Sequence, residues 1–163
     1  MPAPLTPVET TPDLPTHADV VIIGGGIIGC FTAYYLGKRG LKVALVEKGR
    51  IGAEQSSRNW GWCRQQNRDA RELPLAQRSL ALWGGLAAET GQDLGFRRNG
   101  LVYVTDDPAT LAQWEKWGEF ARQRQVDTSM LTAAEARALP NGAQGNWIGG
   151  IHSPTDGVAD PSR

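Results

Sequence analysis

The chain has 163 residues, 40% of them apolar, the size of one domain with enough hydrophobic mass for a core. Lys and Arg together number 17, as do Asp and Glu, so the balance gives no electrostatic reason to expect nucleic acid or an anionic membrane as partner and favours a small neutral ligand or a buried cofactor. The cysteines (Cys30, Cys63) and histidines (His17, His152) are scattered, which leaves no disulfide framework and no metal-ligand spacing; a reducing compartment, read as the cytoplasm, follows.

Residues 1–17 carry prolines at positions 2, 4, 7, 12 and 15, with neither a basic start nor an apolar stretch. They read as a disordered tail rather than a secretory signal. The longest apolar run, 20–31, is too short to cross a bilayer and is interrupted by glycines.

From Asp19 the pattern changes to "DVVIIGGGIIGCFTAYYLGKRGLKVALVEKG". An apolar strand over 20–23 meets glycines, then a helix, then Gly40, then a second apolar strand over 43–46 that ends at Glu47. This order predicts a βαβ unit, with Ile28, Phe31 and Tyr35 at helical spacing toward the sheet. Gly24-x-Gly26-x-x-Gly29 lies between strand and helix, the context in which such glycines bind a pyrophosphate. Gly24 would make the turn, Gly26 would let the phosphates approach the backbone, Gly29 would allow close helix packing, and the helix N-terminus would face the anion. Glu47 follows Gly29 by eighteen residues, close to the spacing at which an acid binds ribose hydroxyls and disfavours a 2′-phosphate. These residues alone leave NAD and FAD as alternatives.

Beyond the polar, tryptophan-containing stretch "EQSSRNWGWCRQQNRD", the segment 71–91 predicts a long helix with Leu75, Leu80 and Trp83 among its apolar positions and Gly84-Gly85 as a weak point. Asn99-Gly100, ahead of an apolar strand over 101–104, predicts a tight hairpin turn. A helix over 107–124 carries Leu111, Trp114 and Trp117 on one face. Thr132 with Glu135 marks a capping box for a short helix closed by Pro140. A strand is expected over 147–152, and Asp160-Pro161 has the form of a helix start. His152 reads as a strand-edge residue, Cys30 and Cys63 as packing thiols, and Trp83, Trp114, Trp117 and Trp147 as core or interface.

With "ADVVIIGGGIIGCFTAYYLGKRGLKVALVEKG" followed by "SSRNWG", the sequence resembles the N-terminal half of FAD-dependent oxidoreductases of the D-amino acid oxidase superfamily, which includes sarcosine, glycine and related amine oxidases and dehydrogenases. The resemblance covers 18–163, with its specific motifs in the first fifty or so residues of that span. It implies FAD as cofactor, with Gly24, Gly26, Ile27, Ile28, Gly29, Glu47 and Lys48 around the ADP portion. Ser56, Ser57, Arg58, Asn59, Trp60 and Gly61 would line the pyrophosphate, ribityl chain and ring edge. Arg64 falls near an arginine that in sarcosine oxidase-type members helps hold the substrate carboxylate, a task suited to a planar fork of donors. No residue is assigned a further catalytic role.

The implied fold is α/β: a Rossmann-type FAD-binding core with the start of an antiparallel substrate-domain sheet. The division expected is a tail over 1–17, an FAD-binding part over 18–70, a partial substrate domain over 71–149 and a return toward the core over 150–163. Members of the group are usually more than twice as long, so the chain reads as an N-terminal portion, its missing half supplied by a separate chain or lost by truncation, and alone it is expected to bind FAD weakly or not at all and not to turn over. The implied reaction is oxidation of the C–N bond of a small amine or amino acid by hydride transfer to flavin. An NAD-binding dehydrogenase module and a non-catalytic nucleotide-binding remnant are the alternatives.

Overall fold

The computed structural model describes residues 5–139 and 144–163. Its elements run β1 (Val20–Ile23), α1 (Ile27–Gly37), β2 (Val43–Val46), β3 (Trp62–Cys63), α2 (Leu73–Thr90), β4 (Leu101–Thr105), α3 (Pro108–Gln123), β5 (Ser129–Thr132), α4 (Ala133–Arg137), β6 (Gly149–Ser153) and β7 (Gly157–Val158). Two units divide them. One takes the described residues up to Trp60 together with Asp160–Arg163, and the other takes Gly61–Ala159. Within the second unit β3 pairs with β7, and β6 is the middle strand of a three-stranded sheet.

In the first unit β1 and β2 pair in parallel, Val20 opposite Val43 through Ile23 opposite Val46, with α1 as the crossover. Parallel strands need a connection of this kind because a hairpin cannot reverse the chain twice. Phe31 and Tyr35 are half-buried and their rings stack with centroids 6.2 Å apart. Ile28, expected on the sheet, is instead 80% exposed, and Ile23 is 89% exposed. A sheet of two strands is too narrow to cover every apolar position that the helical period offers. Residues 5–17 contain no helix or strand, and those from Thr6 to Val8 and from Thr10 to Pro15 line, with β2, a cavity of about 1040 Å³.

The second unit has a three-stranded antiparallel sheet in the order β4-β6-β5, with Tyr103 opposite Ile151 and Met130 on the other side of the same residue. Ile151 is fully buried. A cluster of Leu73, Ala121 and Val126, flanked by Trp117 and Phe120, joins α2 to α3. In α2 the buried residues are Leu73, Leu80 and Leu86, whereas Leu75 is exposed, since two residues along a helix turn a side chain most of the way to the opposite face. α2 runs without a break through Gly84 and Gly85 and ends on Gly91 in the left-handed region (φ 69°).

Asn99-Gly100 is not a hairpin. Gly100 has φ 76°, but β4 pairs with β6, and the Gly100 amide donates to the Asp156 carbonyl at 2.9 Å. The turn chemistry is used to meet a distant segment. Asp107 caps α3 by accepting from the Ala109 and Thr110 amides, and Thr132 and Glu135 form the reciprocal capping box of α4. Pro140 lies outside the described residues. Trp83 stacks on Phe96 at 5.5 Å, Trp114 lies 5.8 Å from Tyr103, and the Trp117 indole donates to the Arg68 carbonyl at 3.0 Å.

Candidate functional site

The site in the first unit is built where β1 runs out. Gly24 has φ 109°, a conformation that only glycine adopts without strain, and its amide donates to the Val46 carbonyl at 2.8 Å. Gly25 donates to Glu47 Oε2 at 2.7 Å and accepts through its carbonyl from the Gly52 amide at 2.8 Å. Gly26 is the N-cap of α1, extended (φ −78°, ψ 178°) and without a side chain to cap the helix. The Ile27 amide donates to Ser56 Oγ at 2.8 Å. Among the described residues the amides of Gly26, Ile28 and Gly29 have no acceptor, and α1 has no acidic residue in its first turn. A helix start left open in this way attracts an anion through its amides and its dipole.

The loop has no room for a side chain at Gly25 or Gly29 and little at Gly26. A Cβ on Gly29 would lie 2.0 Å from the Gly24 carbonyl oxygen, one on Gly25 2.4 Å from Ile51 Cδ1, and one on Gly26 3.1 Å from Ser56 Oγ. Backbone alone can occupy this cradle, and a pyrophosphate can therefore come within hydrogen-bond reach of it. The residues present fit an FAD pyrophosphate.

Glu47 accepts from the Gly25 amide and, through Oε1, from the Gly49 amide at 2.8 Å. Those two bonds, the first the larger, hold its carboxyl below the usual glutamate range. Two acceptor sites used of about four leave lone pairs for ribose hydroxyls. A group depressed in this way stabilises the fold above its unfolded pKa and ceases to as pH falls through the lower folded value. Wild type should therefore be more stable than Glu47→Gln at neutral pH, with the gap closing in acid; denaturant midpoints of both proteins between about pH 7 and about pH 3 would measure it. A gap independent of pH would contradict the assignment.

The stretch expected to line the rest of the cofactor is partly engaged with itself. Ser56 Oγ serves the Ile27 amide, and Ser57 Oγ donates to the Glu54 carbonyl at 3.3 Å. Asn59 Nδ2 donates to the carbonyls of Gln55 (3.1 Å) and Ser56 (2.8 Å). Arg58 pairs with Glu54 at 3.3 Å across an exposed turn, while Lys48 and Trp60 are exposed. Gly61, buried with φ 71°, belongs to the second unit and accepts from the Ala159 amide at 2.8 Å.

Arg64 also lies in the second unit, half-buried just past β3, with Nη1 donating to the Gln66 carbonyl. Its neighbourhood contains residues that sequence reasoning missed. Asp156 has no solvent exposure; it accepts from the Gln65 amide (2.9 Å) and the Gln66 amide (3.0 Å). Burial pushes its carboxyl up, and those two amides oppose that. Burial likewise pushes the Tyr103 hydroxyl up, while the nearby Arg64 and Arg68 cations pull it down. Among the described residues Gln66 Oε1 and Arg68 Nε are buried without a partner.

Cys63 is raised to about 11 by burial, which makes it an inert packing thiol at neutral pH. Cys30, raised for the same reason, donates to the Gly25 carbonyl. His152 pairs with Val102 and Ser129 within the sheet. Among the described residues no cluster of His, Cys, Asp and Glu could hold a metal, and no helix is long and apolar enough to cross a membrane.

The family model for FAD dependent oxidoreductase (DAO) matches residues 19–163. Mitochondrial sarcosine dehydrogenase of Mus musculus is 28% identical over 98% of this chain and 18% of its own length. Glycine oxidase of Geobacillus kaustophilus is 33% identical over 87% of this chain and 40% of its own. Among solved structures, L-amino acid deaminase from Proteus myxofaciens in complex with anthranilate superposes with a TM-score of 0.89 at 31% identity, covering 97% of this chain and 37% of that one. The chain thus spans well under half the length of these relatives, and the match decides between FAD and NAD as the family's cofactor. By sequence and by fold, the chain belongs to the DAO family of FAD-dependent oxidoreductases.

Proposed function

We propose that this chain is the nucleotide-binding portion of an FAD-dependent oxidoreductase that oxidises the C–N bond of a small amine or amino acid. The observation that carries the reading is the uncapped start of α1, where three amides without acceptors lie next to a glycine cradle and Glu47. Gly24, Gly26, Ile27, Ile28 and Gly29 would hold the pyrophosphate, Glu47 the adenosine ribose, and Lys48 the outer edge of that end. Ser56, Ser57, Arg58, Asn59, Trp60 and Gly61 would follow the ribityl chain and the ring. When bound, FAD supplies the hydride acceptor for converting the amine to an imine, which water hydrolyses. Arg64 would bind and orient the substrate carboxylate with guanidinium donors left over from its bond to the Gln66 carbonyl.

The β1–β2 pair, with Val21 and Ile23 exposed, fits a protein in which a further polypeptide completes this sheet, in the proposal a separate chain. The free thiols of Cys30 and Cys63 suit a reducing compartment such as the cytoplasm.

The test is the visible spectrum of the protein after mixing with excess FAD and removing free cofactor by gel filtration. Little or no flavin should stay on the chain alone; with the completing polypeptide added, flavin bands should be retained and be lost in Gly26→Val. Flavin retained equally by both proteins would place the cofactor elsewhere and sink the assignment. A colourless wild-type protein would leave the chain in need of its completing polypeptide, or a remnant without cofactor, and adding that polypeptide separates the two.

A further inference from the structure

The loop that follows β3 is held by a carboxylate ninety-one residues further along the chain. Asp156 places one oxygen on each of two successive amides, Gln65 and Gln66, and so fixes both the position and the rotation of that dipeptide. Gln66 in turn presents the carbonyl that accepts from Arg64 Nη1. A connected path runs from a buried carboxylate through fixed backbone to a guanidinium.

The anchor is itself immobile. The Asp156 amide donates to the Ser153 carbonyl at 3.3 Å, and its carbonyl accepts from the Gly100 amide at 2.9 Å. Gly157, next to it, is packed so closely that a Cβ there would lie 2.3 Å from the Arg97 carbonyl oxygen. A rigid turn holding a fully buried charge is an expensive arrangement for a surface loop that needs only to be ordered. Among the described residues Gln66 Oε1 and Arg68 Nε, on the same loop, are buried without a partner.

We propose that Asp156 is a positioning residue: by clamping the backbone of Gln65 and Gln66 it holds the Arg64 guanidinium in one orientation for a carboxylate ligand. This rests on the reading of Arg64 as the substrate carboxylate contact. Asp156→Asn keeps the shape but turns one acceptor into a donor facing an amide N–H, so the clamp opens on one side. Asp156→Glu keeps the charge and two acceptors, and should restore part of it.

The experiment measures phenylglyoxal modification of the flavin-free protein, located by peptide mass mapping, with the exposed Arg58 as internal reference. Arg64 should react about tenfold faster in Asp156→Asn than in wild type, with Asp156→Glu in between, as for a group released from local protection. Ile151→Val loosens the same sheet without touching either amide and should leave the Arg64 rate unchanged. Equal Arg64 rates in wild type and Asp156→Asn would overturn the proposal, and so would equal acceleration by Ile151→Val, which would reduce Asp156 to general support. If Asp156→Asn does not fold, amide hydrogen exchange in wild type decides: slow exchange at Gln65 and Gln66 is required, and loop-like rates defeat the clamp. None of these readouts involves flavin or substrate. The reading of Arg64 fails separately, if Arg64→Met leaves carboxylate affinity unchanged in flavin-loaded protein.

Discussion

A Gly29→Ala variant is expected to lose flavin retention with the completing polypeptide present and to destabilise the first unit by about 1–3 kcal/mol or more, the range for forcing atoms into a filled space. The added methyl would lie 2.0 Å from the Gly24 carbonyl oxygen and 3.2 Å from its carbon, and it would also meet Ile22 Cγ2 at 3.4 Å. The first two contacts are backbone, which has no rotamer to escape into. α1 would have to move away from β1, and the open amides at its start would move with it. Gly37→Ala is the control on the same helix. Nothing lies within 4 Å of a Cβ there, so loss of backbone freedom in the unfolded chain should leave the protein unchanged or more stable by up to about 1 kcal/mol. Denaturant midpoints and the bound-flavin spectrum measure both variants. Similar behaviour of the two would mean that the cradle is not as tight as described.

Ile151→Ala should destabilise the second unit by about 2–5 kcal/mol, the range for truncating a fully enclosed aliphatic side chain. Ile151 is at the middle of β6, flanked by Tyr103 on β4 and Met130 on β5, and its carbonyl accepts from the Gln66 side chain at 3.4 Å. The loss should lower the midpoint of near-ultraviolet circular dichroism, which reports the packing of Tyr103 against Trp62 and Trp114. A cost below about 1 kcal/mol would mean that the sheet has its core elsewhere.

The parts of this protein that were legible in the sequence are those whose causes are local. Strand, glycines, helix, strand and acid follow one another within thirty residues, and each is specified by its own chemistry, so β1, α1, β2 and the place of Glu47 at the end of β2 could be read in order. The capping box at Thr132 and Glu135 is local in the same sense. Asn99-Gly100 misled because a turn signal says that the chain can bend, not what it bends toward; Gly100 uses its freedom to meet Asp156. Ile28 misled because helical periodicity counts apolar positions without knowing how wide the sheet is. β3 and β7 have two residues each, too few to show any period, and β5 lies hidden before a helix cap. Asp156 gave no sign of its burial because what buries it comes from residues 65 and 66. The one available hint was an aspartate before glycine in "PTDGV", which reads as an ordinary turn.

The pairing of Trp62 with Val158 has a consequence for the order in which the molecule forms during synthesis. The contacts at this clasp join the two ends of the second unit, so they cannot exist until Val158 has been made and has left the ribosome. At roughly 5–20 residues per second, the residues around Gln65 wait on the order of 5–20 s for Asp156 to emerge. The entropy of closing so long a span grows only slowly with its length, but it must be met before the clasp returns anything. The β1–α1–β2 unit, by contrast, has its partners at hand within seconds of starting. The newborn chain therefore has the partners of its glycine turn at hand well before it has those of the loop that carries Arg64.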